Sequence, residues 1–404
     1  MAKIKHIVGE VIHDSRGDAT LQVAVETDGG KAGAAAIPAG KSVGTFEAKV
    51  VDPAKSVEII KNQFLPLLQG KDPFDQAEID AAMIKLDGTN DKNRLGANTM
   101  LGVSLAVSRA AAAEKGIELY QYIGELDHRK GFAVPIPMFN LINGGKHADN
   151  NLDMQEFMVV PDKVAGYHNQ LSAGKLVFST LGQILRGDGA FVPIGDEGGY
   201  APNLDTNEIA LDLLLQAIKQ SGYKPWDEIS LALDVAASSL PATFEVSTKR
   251  YIGLINDYPI LSLEDPFGEE DWQNWAEFRS EMSKQNASNK KLLLIGDDLF
   301  VTNTERLKKG IELNAANAIL VKLNQIGTLT ETLQVVEQAR QAGYVIIVSH
   351  RSGETLDDYI ADFAVGIGAQ FIKTGAPNDA HPERMTKYRR LLTIEDQLTA
   401  NKNA

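Results

Sequence analysis

Six short apolar segments in the second half of the chain each end in an ionisable residue, and a polar or helix-like stretch follows each one. Their last residues are Asp234, Glu264, Asp297, Lys322, His350 and Lys373. The successive spacings are 30, 33, 25, 28 and 23 residues, each about one strand plus one helix. This period predicts β-α units in a parallel barrel or a doubly wound sheet, with helices covering buried strands. In a barrel, the carboxyl ends of the strands meet on the face where barrel enzymes carry out their chemistry.

The first third of the chain has a different pattern, in which strand-like segments are followed by helical periodicity. Three strands are predicted, at residues 3–12, 21–27 and 31–37. Three helices are predicted after them, at residues 53–70, 75–86 and 96–115. The segment Asp28-Gly29-Gly30 lies between the second and third strands and predicts a hairpin turn, because such turns favour glycine and aspartate.

A break at residues 127–137 carries charged residues, a glycine and two prolines, which is typical of a connecting segment. We therefore predict an α+β N-terminal capping domain at residues 1–130 and a catalytic domain at residues 131–404. The catalytic domain is predicted to begin with two strands, at 137–142 and 154–160, and two helices, at 163–186 and 205–221. The regular units then continue from Ser230 to a closing helix at 383–398.

The composition of the 404-residue chain limits its function class. The formal charge of −14 disfavours nucleic acid or an anionic membrane as the main partner. The chain has no cysteine, which excludes disulfides, zinc-thiolate sites and thiol nucleophiles, and permits a reducing compartment. The N-terminal segment has no apolar region of signal-peptide length and no segment is long enough to span a membrane, so a cytoplasmic enzyme is expected.

Asp234, Glu264 and Asp297 are the candidate metal ligands. Three hard oxygen donors at neighbouring strand ends, with no cysteine or histidine among them, suit Mg²⁺ rather than zinc. The alternative is that an aspartate after a strand caps the next helix. Three carboxylates in succession favour the metal site.

Two lysines also end apolar segments, at Lys322 and Lys373. An ammonium group there is costly to desolvate unless it faces anions in the barrel mouth, although an ordinary surface lysine is the alternative. A lysine beside other cations has its proton destabilised and becomes competent as a general base near neutral pH. Lys322 is therefore a candidate base.

The tripeptide His350-Arg351-Ser352 combines a guanidinium fork with a hydroxyl. Beside a helix N-terminus this combination forms a phosphate clamp. The alternative for His350 is a histidine that only begins a helix.

Glu197 lies in a glycine-rich string, GDEGGYAPN, and Glu156 lies near a predicted strand in QEF. Two carboxylates close together raise the pKa of one of them, which keeps it protonated as a general acid. Two unrelated solvated glutamates are the alternative, and His147 in GGKHADN is equally compatible with a loop residue of no function.

The segment GKSVG at residues 40–44 places glycines on both sides of Ser42, as a mobile lid requires. The sequence has no GxxxxGK[ST], no GxGxxG after a strand and no GxSxG, so nucleotide binding and serine hydrolysis lack support.

With these residues in place, the chain resembles the enolase family over about residues 3–396. The strings that carry the resemblance are DSRG (14–17), LDGTN (86–90), NGGKHADNN (143–151), QEF (155–157), GDEGGYAPN (195–203), LEDP (263–266), GDDLFVTN (296–303), KLNQIGTLTET (322–332), SHRSGET (349–355) and IKTGAP (372–377). The resemblance implies an α/β fold, a modified eight-stranded (β/α) barrel with a smaller α+β N-terminal domain. It also implies a homodimer or a higher homo-oligomer.

The activity implied by the resemblance is the Mg²⁺-dependent, reversible dehydration of 2-phosphoglycerate to phosphoenolpyruvate in glycolysis and gluconeogenesis. Two Mg²⁺ ions are implied per active site. Asp234, Glu264 and Asp297 would hold the first ion, and Ser42 would reach the second.

The other implied roles belong to catalysis and substrate binding. Lys322 would take the proton from carbon, and Glu197 would protonate the departing hydroxyl, with Glu156 and His147 alongside. The implied substrate contacts are His350, Arg351, Ser352 and Lys373, of which Arg351 and Ser352 would bind the phosphate.

The chain departs from the family pattern at three places. The lid sequence is PAGKSVG (38–44) instead of PSGASTG, the segment between Ser238 and Tyr258 is shorter, and APNDAHPER (376–384) replaces APxRSER. The third difference is expected to affect a peripheral, dimer-related contact. No implied catalytic residue is lost at any of them.

Two other functions are compatible with such a chain. One is a dehydratase of another 2-hydroxy acid, which the phosphate-binding pair Arg351 and Ser352 argues against. The other is an enolase-derived structural or binding protein, which the complete set of catalytic residues argues against.

Overall fold

The computed structural model describes residues 2–41, 44–187, 189, 191–285 and 292–403. It begins with an antiparallel sheet of three strands, β1 (Ile4–His13), β2 (Ala19–Thr27) and β3 (Ala32–Ala36). The predicted hairpin between β2 and β3 is confirmed, since the Thr27 N–H donates to the Lys31 carbonyl at 2.9 Å.

Helices cover this sheet, and one of them differs from the prediction. They are α1 (Pro53–Ile59), a π-helical turn (Ile60–Phe64), α2 (Leu65–Leu68), α3 (Gln76–Asp87), α4 (Ala97–Lys115) and α5 (Leu119–Leu126). The predicted helix at 53–70 is interrupted by the π turn. Pro66 explains this change, because it has no N–H for the regular bonding pattern.

The second half forms a closed barrel, which confirms the expected architecture. In the described residues its strands are β4 (Ile136–Asn143), β5 (Glu156–Val160), β6 (Ser230–Asp234), β7 (Ile260–Glu264), β8 (Leu293–Gly296), β9 (Ala318–Val321), β10 (Val345–Ser349) and β11 (Phe371–Lys373). The order around the barrel is β10-β11-β4-β5-β6-β7-β8-β9. The predicted boundary between residues 130 and 131 falls between α5 and β4.

One strand corrects the expectation of an all-parallel sheet. β5 pairs antiparallel with both β4 and β6, whereas the other neighbours are parallel. The reason is that residues 144–155 between β4 and β5 form only a short 3₁₀ turn at Gly145–His147, which reverses the chain without a crossover helix.

Helices surround the barrel. They are α6 (Tyr167–Arg186), α7 (Asn207–Gln220), α8 (Thr248–Asp257), α9 (Trp272–Gln285), α10 (Thr304–Glu312), α11 (Leu323–Ile326), α12 (Leu329–Gln341), α13 (Tyr359–Ile367) and α14 (Pro382–Asn403). The short connection between β6 and β7 holds a 3₁₀ turn (Ala237–Ser239) and the ten-residue α8. Within the described ranges, no helix has both the length and the apolar character needed to cross a membrane.

Apolar side chains fill the barrel interior and leave one end for polar groups. Met138, Met158, Ile295, Leu320 and Ile347 belong to one buried cluster built from strand residues. Because strand side chains alternate between faces, the same strands send other residues outward against the helices. The ionisable residues lie at the carboxyl ends of the strands, beyond this apolar cluster.

Two polar groups of the N-terminal domain bond the start of barrel helix α12. The buried Asp80 carboxylate accepts hydrogen bonds from the Thr330 backbone N–H at 3.0 Å and the Thr330 hydroxyl at 2.6 Å. The Ser104 hydroxyl accepts from the Leu329 N–H at 3.0 Å. These bonds satisfy N–H groups that a helix N-terminus leaves without an internal partner.

Candidate active site

The strand register brings the predicted site residues to one end of the barrel. Asp234 pairs in register with both Glu156 and Glu264, and Ser349 pairs with Lys373. Among the polar residues buried there are Glu156, Asp234, Glu264, Asp297, His350 and Lys373. The chain therefore gathers carboxylates, lysine and imidazole in one largely water-excluded group.

Lys373 lies among three of these carboxylates. Its Nζ donates to Glu156 Oε2 at 2.9 Å and to both oxygens of Glu264 at 2.8 Å, and it lies 3.6 Å from Asp234 Oδ2. Burial by itself lowers the pKa of Lys373, but Glu156 and Glu264 raise it more strongly, and the pKa lies well above its ordinary value. Lys373 is therefore a fixed positive charge.

The acidic cluster has more negative charge than its lysines neutralise. Burial and the neighbouring carboxylate of Asp234 raise the pKa of Glu264 well above its ordinary range. The pKa of Asp234 is raised to about 6 by burial, against the lowering effect of Lys373, with Glu156 also raising it. The raised carboxylate pKa values mean that burial and mutual repulsion outweigh the positive charge of Lys373 at these oxygens.

This cluster fits a hard divalent cation. Asp234, Glu264 and Asp297 offer oxygen atoms at or just after the ends of three adjacent strands, and oxygen ligands without sulfur are what Mg²⁺ prefers. A bound cation would neutralise the repulsion that raises the two pKa values. The structure therefore gives a physical reason to expect a metal near these residues, and their role as its ligands stays a prediction.

Sequence reasoning missed two further acids in this region, Asp265 and Asp298. In the described residues, ligand atoms of Asp265, Asp297 and Asp298 lie within 4.8 Å of one another, as do those of His147, Glu156 and Glu197. Asp265 accepts the backbone N–H groups of Asp297 at 3.1 Å and Asp298 at 2.7 Å, so it orients the β8 end. Burial and Asp297 raise the pKa of Asp298 to about 7. The sequence signal that could have identified these two acids is their position in the strings LEDP and GDD.

Lys322 follows β9 and its ammonium donates to Asp297 Oδ2. Burial lowers the pKa of Lys322, but the Asp297 carboxylate raises it, and the pKa lies above its ordinary value. The expected lowering by neighbouring cations is wrong for the protein's own groups. Arg351 and Lys373 do act in the expected direction, but the ion pair with Asp297 outweighs them.

Glu197 lies on the other side of the mouth, where Asn140 of β4 donates to its Oε2 at 2.9 Å. His350 Nε2 lies 3.2 Å and His147 Nδ1 3.4 Å from Glu197 Oε1. Burial raises the pKa of Glu197, yet His350 and His147 lower it well below its ordinary value.

For the protein's own groups, the predicted raised pKa is therefore not found at Glu197. That prediction considered only the repulsion between Glu156 and Glu197. His147 instead lies between the two acids, because its Nδ1 is 3.4 Å from Glu156 Oε1 as well. Its pKa responds accordingly: burial lowers it, but Glu197 and Glu156 raise it above the ordinary value.

Arg351 and Ser352 lie next to each other at the rim of the site, as predicted, but without a helix start. Arg351 Nη1 donates to Glu47 Oε2 at 3.0 Å and Nη2 to Glu47 Oε1 at 3.2 Å. The Ser352 hydroxyl accepts from Arg16 Nη1 at 3.1 Å. The next helix, α13, begins only at Tyr359, so both expectations of a helix N-terminus at His350 are wrong.

Comparison with known families agrees with this arrangement. The model of the enolase N-terminal domain matches residues 4–123, and the model of the enolase C-terminal TIM barrel domain matches residues 131–247 and 239–403. The chain belongs to the enolase family. The two parts of the barrel match overlap at residues 239–247, just before α8. Enolase domains indicate a lyase-type enzyme.

The lid of this enolase-family chain is described only in part. Ser42, the implied ligand of a second Mg²⁺, lies outside the described residues. Beside it, the Lys41 N–H donates to the Ser352 hydroxyl at 2.8 Å, and Lys41 Nζ lies 3.0 Å from Asp196 Oδ2. The lysine that distinguishes this lid from the family pattern is therefore paired with the loop that carries Glu197.

Several residues that shape this enolase-type site were not predicted, namely Arg16, Glu47, Asp196, Asn324 and Arg384. Arg16 lies in the DSRG string that carried the resemblance, but its contact with Ser352 spans 336 residues. Arg384 ends the APNDAHPER segment and is shared with the family pattern APxRSER, so the difference does not include it. Arg384 is fully buried and bonds His350.

Proposed function

We propose that this protein catalyses the reversible, Mg²⁺-dependent dehydration of 2-phosphoglycerate to phosphoenolpyruvate, the phosphopyruvate hydratase reaction. The observation that carries the proposal is that Lys322 and Glu197 approach one buried acidic cluster from two sides. Lys322 follows β9, and Glu197 is bonded to β4, the third strand from β9 around the barrel. A base and an acid on two sides of a substrate are what this elimination needs.

The reaction assigns one proton transfer to each group. Neutral Lys322 takes the proton from the carbon next to the substrate carboxylate, and the electron pair left behind forms the carbon–carbon double bond. Glu197 has to be protonated for this step, whereas His350 and His147 lower its pKa in the protein without substrate. The negative charge of the bound substrate would raise that pKa. Glu197 then gives its proton to the departing hydroxyl, which leaves as water. Lysine paired with Mg²⁺ is the established base and metal combination of this enzyme family.

Proton removal beside a carboxylate adds a second negative charge that water stabilises poorly. Asp234, Glu264, Asp297 and Ser42 would hold two Mg²⁺ ions, whose positive charge stabilises this anion and lowers the pKa of Lys322. Lys373 adds a fixed positive charge from the protein itself. A pair of unit charges 4 Å apart is worth roughly 4 kcal/mol at an effective dielectric of 20. A single lysine is therefore insufficient for the ~8–23 kcal/mol of typical enzymatic acceleration.

The substrate phosphate is proposed to contact Arg351 and Ser352. Arg351 is 5% exposed and its guanidinium bonds the Glu47 carboxylate in bidentate geometry, which supports a side chain oriented to bind an anion. Arg16, bonded to Ser352, adds a second guanidinium at the same place. These two guanidinium groups, which pair with Glu47, Asp14 and Asp18 in this structure, favour a phosphorylated substrate over an unphosphorylated 2-hydroxy acid.

The test is to follow phosphoenolpyruvate absorbance after adding 2-phosphoglycerate with Mg²⁺, and then to add a chelator. We expect turnover that stops on chelation and returns with excess Mg²⁺. Absence of turnover by correctly folded, Mg²⁺-saturated protein would exclude the proposed reaction.

The finer biological setting is proposed on the resemblance to the family. We propose a homodimer or higher homo-oligomer that acts in glycolysis and gluconeogenesis in the cytoplasm. Val8 and Val11 of β1 and Leu356 expose 49%, 39% and 65% of their surface, so apolar area is present for association. Light scattering at micromolar concentration tests the oligomer, and a monomeric mass would contradict it.

A further inference from the structure

Arg384 is a buried residue that hydrogen-bonds two separate segments of the site. It lies in the first turn of α14 and has no exposed surface. Its Nη1 donates to the Arg351 carbonyl at 2.7 Å, and its Nη2 donates to the carbonyls of Asp196 at 2.9 Å and Ser352 at 2.6 Å. It therefore ties the segment before Glu197 to the phosphate-binding segment.

The fourth partner of Arg384 is a ring nitrogen. Nη1 lies 2.7 Å from Nδ1 of His350, which is 2% exposed. An arginine side chain is always protonated and has only donors, so the imidazole has to accept this bond. Nδ1 must then carry the lone pair, and the ring proton of neutral His350 must lie on Nε2.

The other ring nitrogen, Nε2, is buried close to the proposed acid and makes no aligned hydrogen bond among the described residues. His350 Nε2 lies 3.2 Å from Glu197 Oε1. The histidine backbone is held as well, since its N–H donates to the Lys373 carbonyl at 3.0 Å. With the ring proton on Nε2, the neutral imidazole presents a donor to the carboxylate. In the other tautomer, two lone pairs would face each other at this distance.

We propose that Arg384 is a positioning residue that holds His350 in the Nε2–H tautomer and thereby presents a hydrogen-bond donor to Glu197. The tautomer itself does not depend on the reaction. Its catalytic consequence rests on the proposed function: when Glu197 gives up its proton, the His350 N–H stabilises the carboxylate that forms. The guanidinium at Nδ1 also opposes a second ring proton, so His350 does not replace Glu197 as the acid.

The direct test is ¹⁵N NMR of the full-length protein with labelled histidine. The chain has seven histidines, and His350→Gln identifies the His350 signals. Near neutral pH we expect Nδ1 to resonate as an unprotonated acceptor and Nε2 as an N–H. A proton on Nδ1 in the wild-type protein would overturn the proposal. This result is independent of whether 2-phosphoglycerate is turned over, so it separates this inference from the proposed function.

Arg384→Lys tests the causal role, because lysine keeps the charge but loses the planar fork. We expect a mixture of tautomers at His350 and a fall in kcat of about 10-fold to 100-fold, a size typical of residues that orient catalytic groups. The KM is expected to change too, through the lost bonds to the Arg351 and Ser352 carbonyls. The tautomer is therefore the deciding measurement.

Arg390→Lys is the matched control, the same replacement two turns further along α14. Arg390 bonds Asp362 at 2.6 and 2.7 Å and Glu118 at 2.6 Å. We expect the wild-type His350 tautomer and unchanged kcat in this variant. A wild-type tautomer in Arg384→Lys, or the same mixture in both variants, would overturn the proposal. If Arg384→Lys does not fold, the wild-type spectrum decides.

Discussion

The ammonium of Lys322 donates a hydrogen bond to Asp297, the third candidate ligand for the metal. One carboxylate therefore lies between the proposed base and the proposed cation site. In the absence of other charges, Asp297 keeps Lys322 protonated. A cation bound to Asp297 would neutralise the carboxylate that raises the pKa of Lys322, and it would place a second positive charge near the lysine. Both effects would lower the pKa of Lys322, so metal binding and activation of the base are physically coupled.

Lys322→Ala is expected to remove the base and leave the fold intact. The side chain is 15% exposed, and its ammonium bonds the polar group Asp297. We expect kcat to fall by at least ~10²–10⁴-fold, the usual contribution of general base catalysis. Lys308→Ala, on the exposed surface of α10, is the control. Near-normal activity with a native circular dichroism spectrum would exclude Lys322 as the base.

Glu197→Gln should separate the two proton transfers. The variant retains Lys322 but has no acid, so water elimination is expected to fall by about 10²–10⁴-fold. Exchange of the substrate's carbon-bound proton with deuterated solvent is expected to continue, because Lys322, the proposed base for that step, is retained. Mass spectrometry of recovered 2-phosphoglycerate measures it. Loss of exchange in this variant, with exchange retained in Lys322→Ala, would show that the two roles are reversed.

Asp234→Asn should have opposite effects with and without metal. Removing one of several mutually repelling buried carboxylates is expected to raise the thermal midpoint of the metal-free protein. The same change removes a ligand, so the rise in midpoint caused by Mg²⁺ should be smaller than in the wild type, because the stabilisation depends on affinity. Asp227→Asn, at an exposed position, is the control. An undiminished Mg²⁺ effect in Asp234→Asn contradicts its role as a ligand.

Lys41→Met is expected to change the salt dependence of the enzyme more than its maximal rate. The Lys41–Asp196 pair is largely exposed, with 49% and 27% of the two side chains accessible, so its energy is about 0–1 kcal/mol. We expect the KM for 2-phosphoglycerate to rise by at most about 5-fold at low salt. The difference should vanish at high salt, because screening removes the charge effect. Lys49→Met removes an equal charge away from Asp196, and an identical KM profile in that control would contradict a specific effect of Lys41.

Asp80 should contribute a pH-dependent term to the stability of the contact between the two domains. Asp80→Ala removes the acceptor of two bonds from Thr330 and is expected to lower the free energy of unfolding by about 1–3 kcal/mol. Asp75→Ala is the control, because Asp75 is the exposed residue just before α3 and its side chain makes no cap bond. Chemical denaturation measures both, and equal stabilities would contradict the role of Asp80.

The sign of the Asp80 pH effect follows from its pKa. Burial raises the pKa of Asp80, and the bonds from Thr330 and Ser104 oppose this only in part. An acid with a raised folded-state pKa contributes stability that is fully present below its unfolded pKa of about 3.9 and is lost as the pH rises through the folded-state pKa. As the pH increases from the unfolded-state pKa through the folded-state pKa, the free energy of unfolding of the wild type should fall relative to that of Asp80→Asn. A difference in the free energy of unfolding between the two proteins that stays constant over this pH range would contradict the raised pKa.

Much of the barrel could be predicted because its local signals are strong. Asp234, Glu264 and Lys373 are the last residues of β6, β7 and β11, as the apolar segments indicated, and Lys322 and His350 directly follow β9 and β10. Buried parallel strands require continuous apolar residues, and polar groups are tolerated only where the strand ends. The antiparallel direction of β5 was not predicted. It depends on the connection between β4 and β5, and the apolar pattern of the two strands does not reveal that connection.

The sequence by itself determined the β-α period, the residue types at the strand ends and the family strings, since each of these is a local property of neighbouring residues. Only the tertiary structure decided which charges meet. The Glu47–Arg351 pair spans 304 residues, and the Arg384–His350 pair joins a helix to a strand end. The protonation of Lys322 and Glu197 follows from such partners rather than from residue type. A pKa depends on burial and on charges within a few ångströms, and the folded chain alone brings those together.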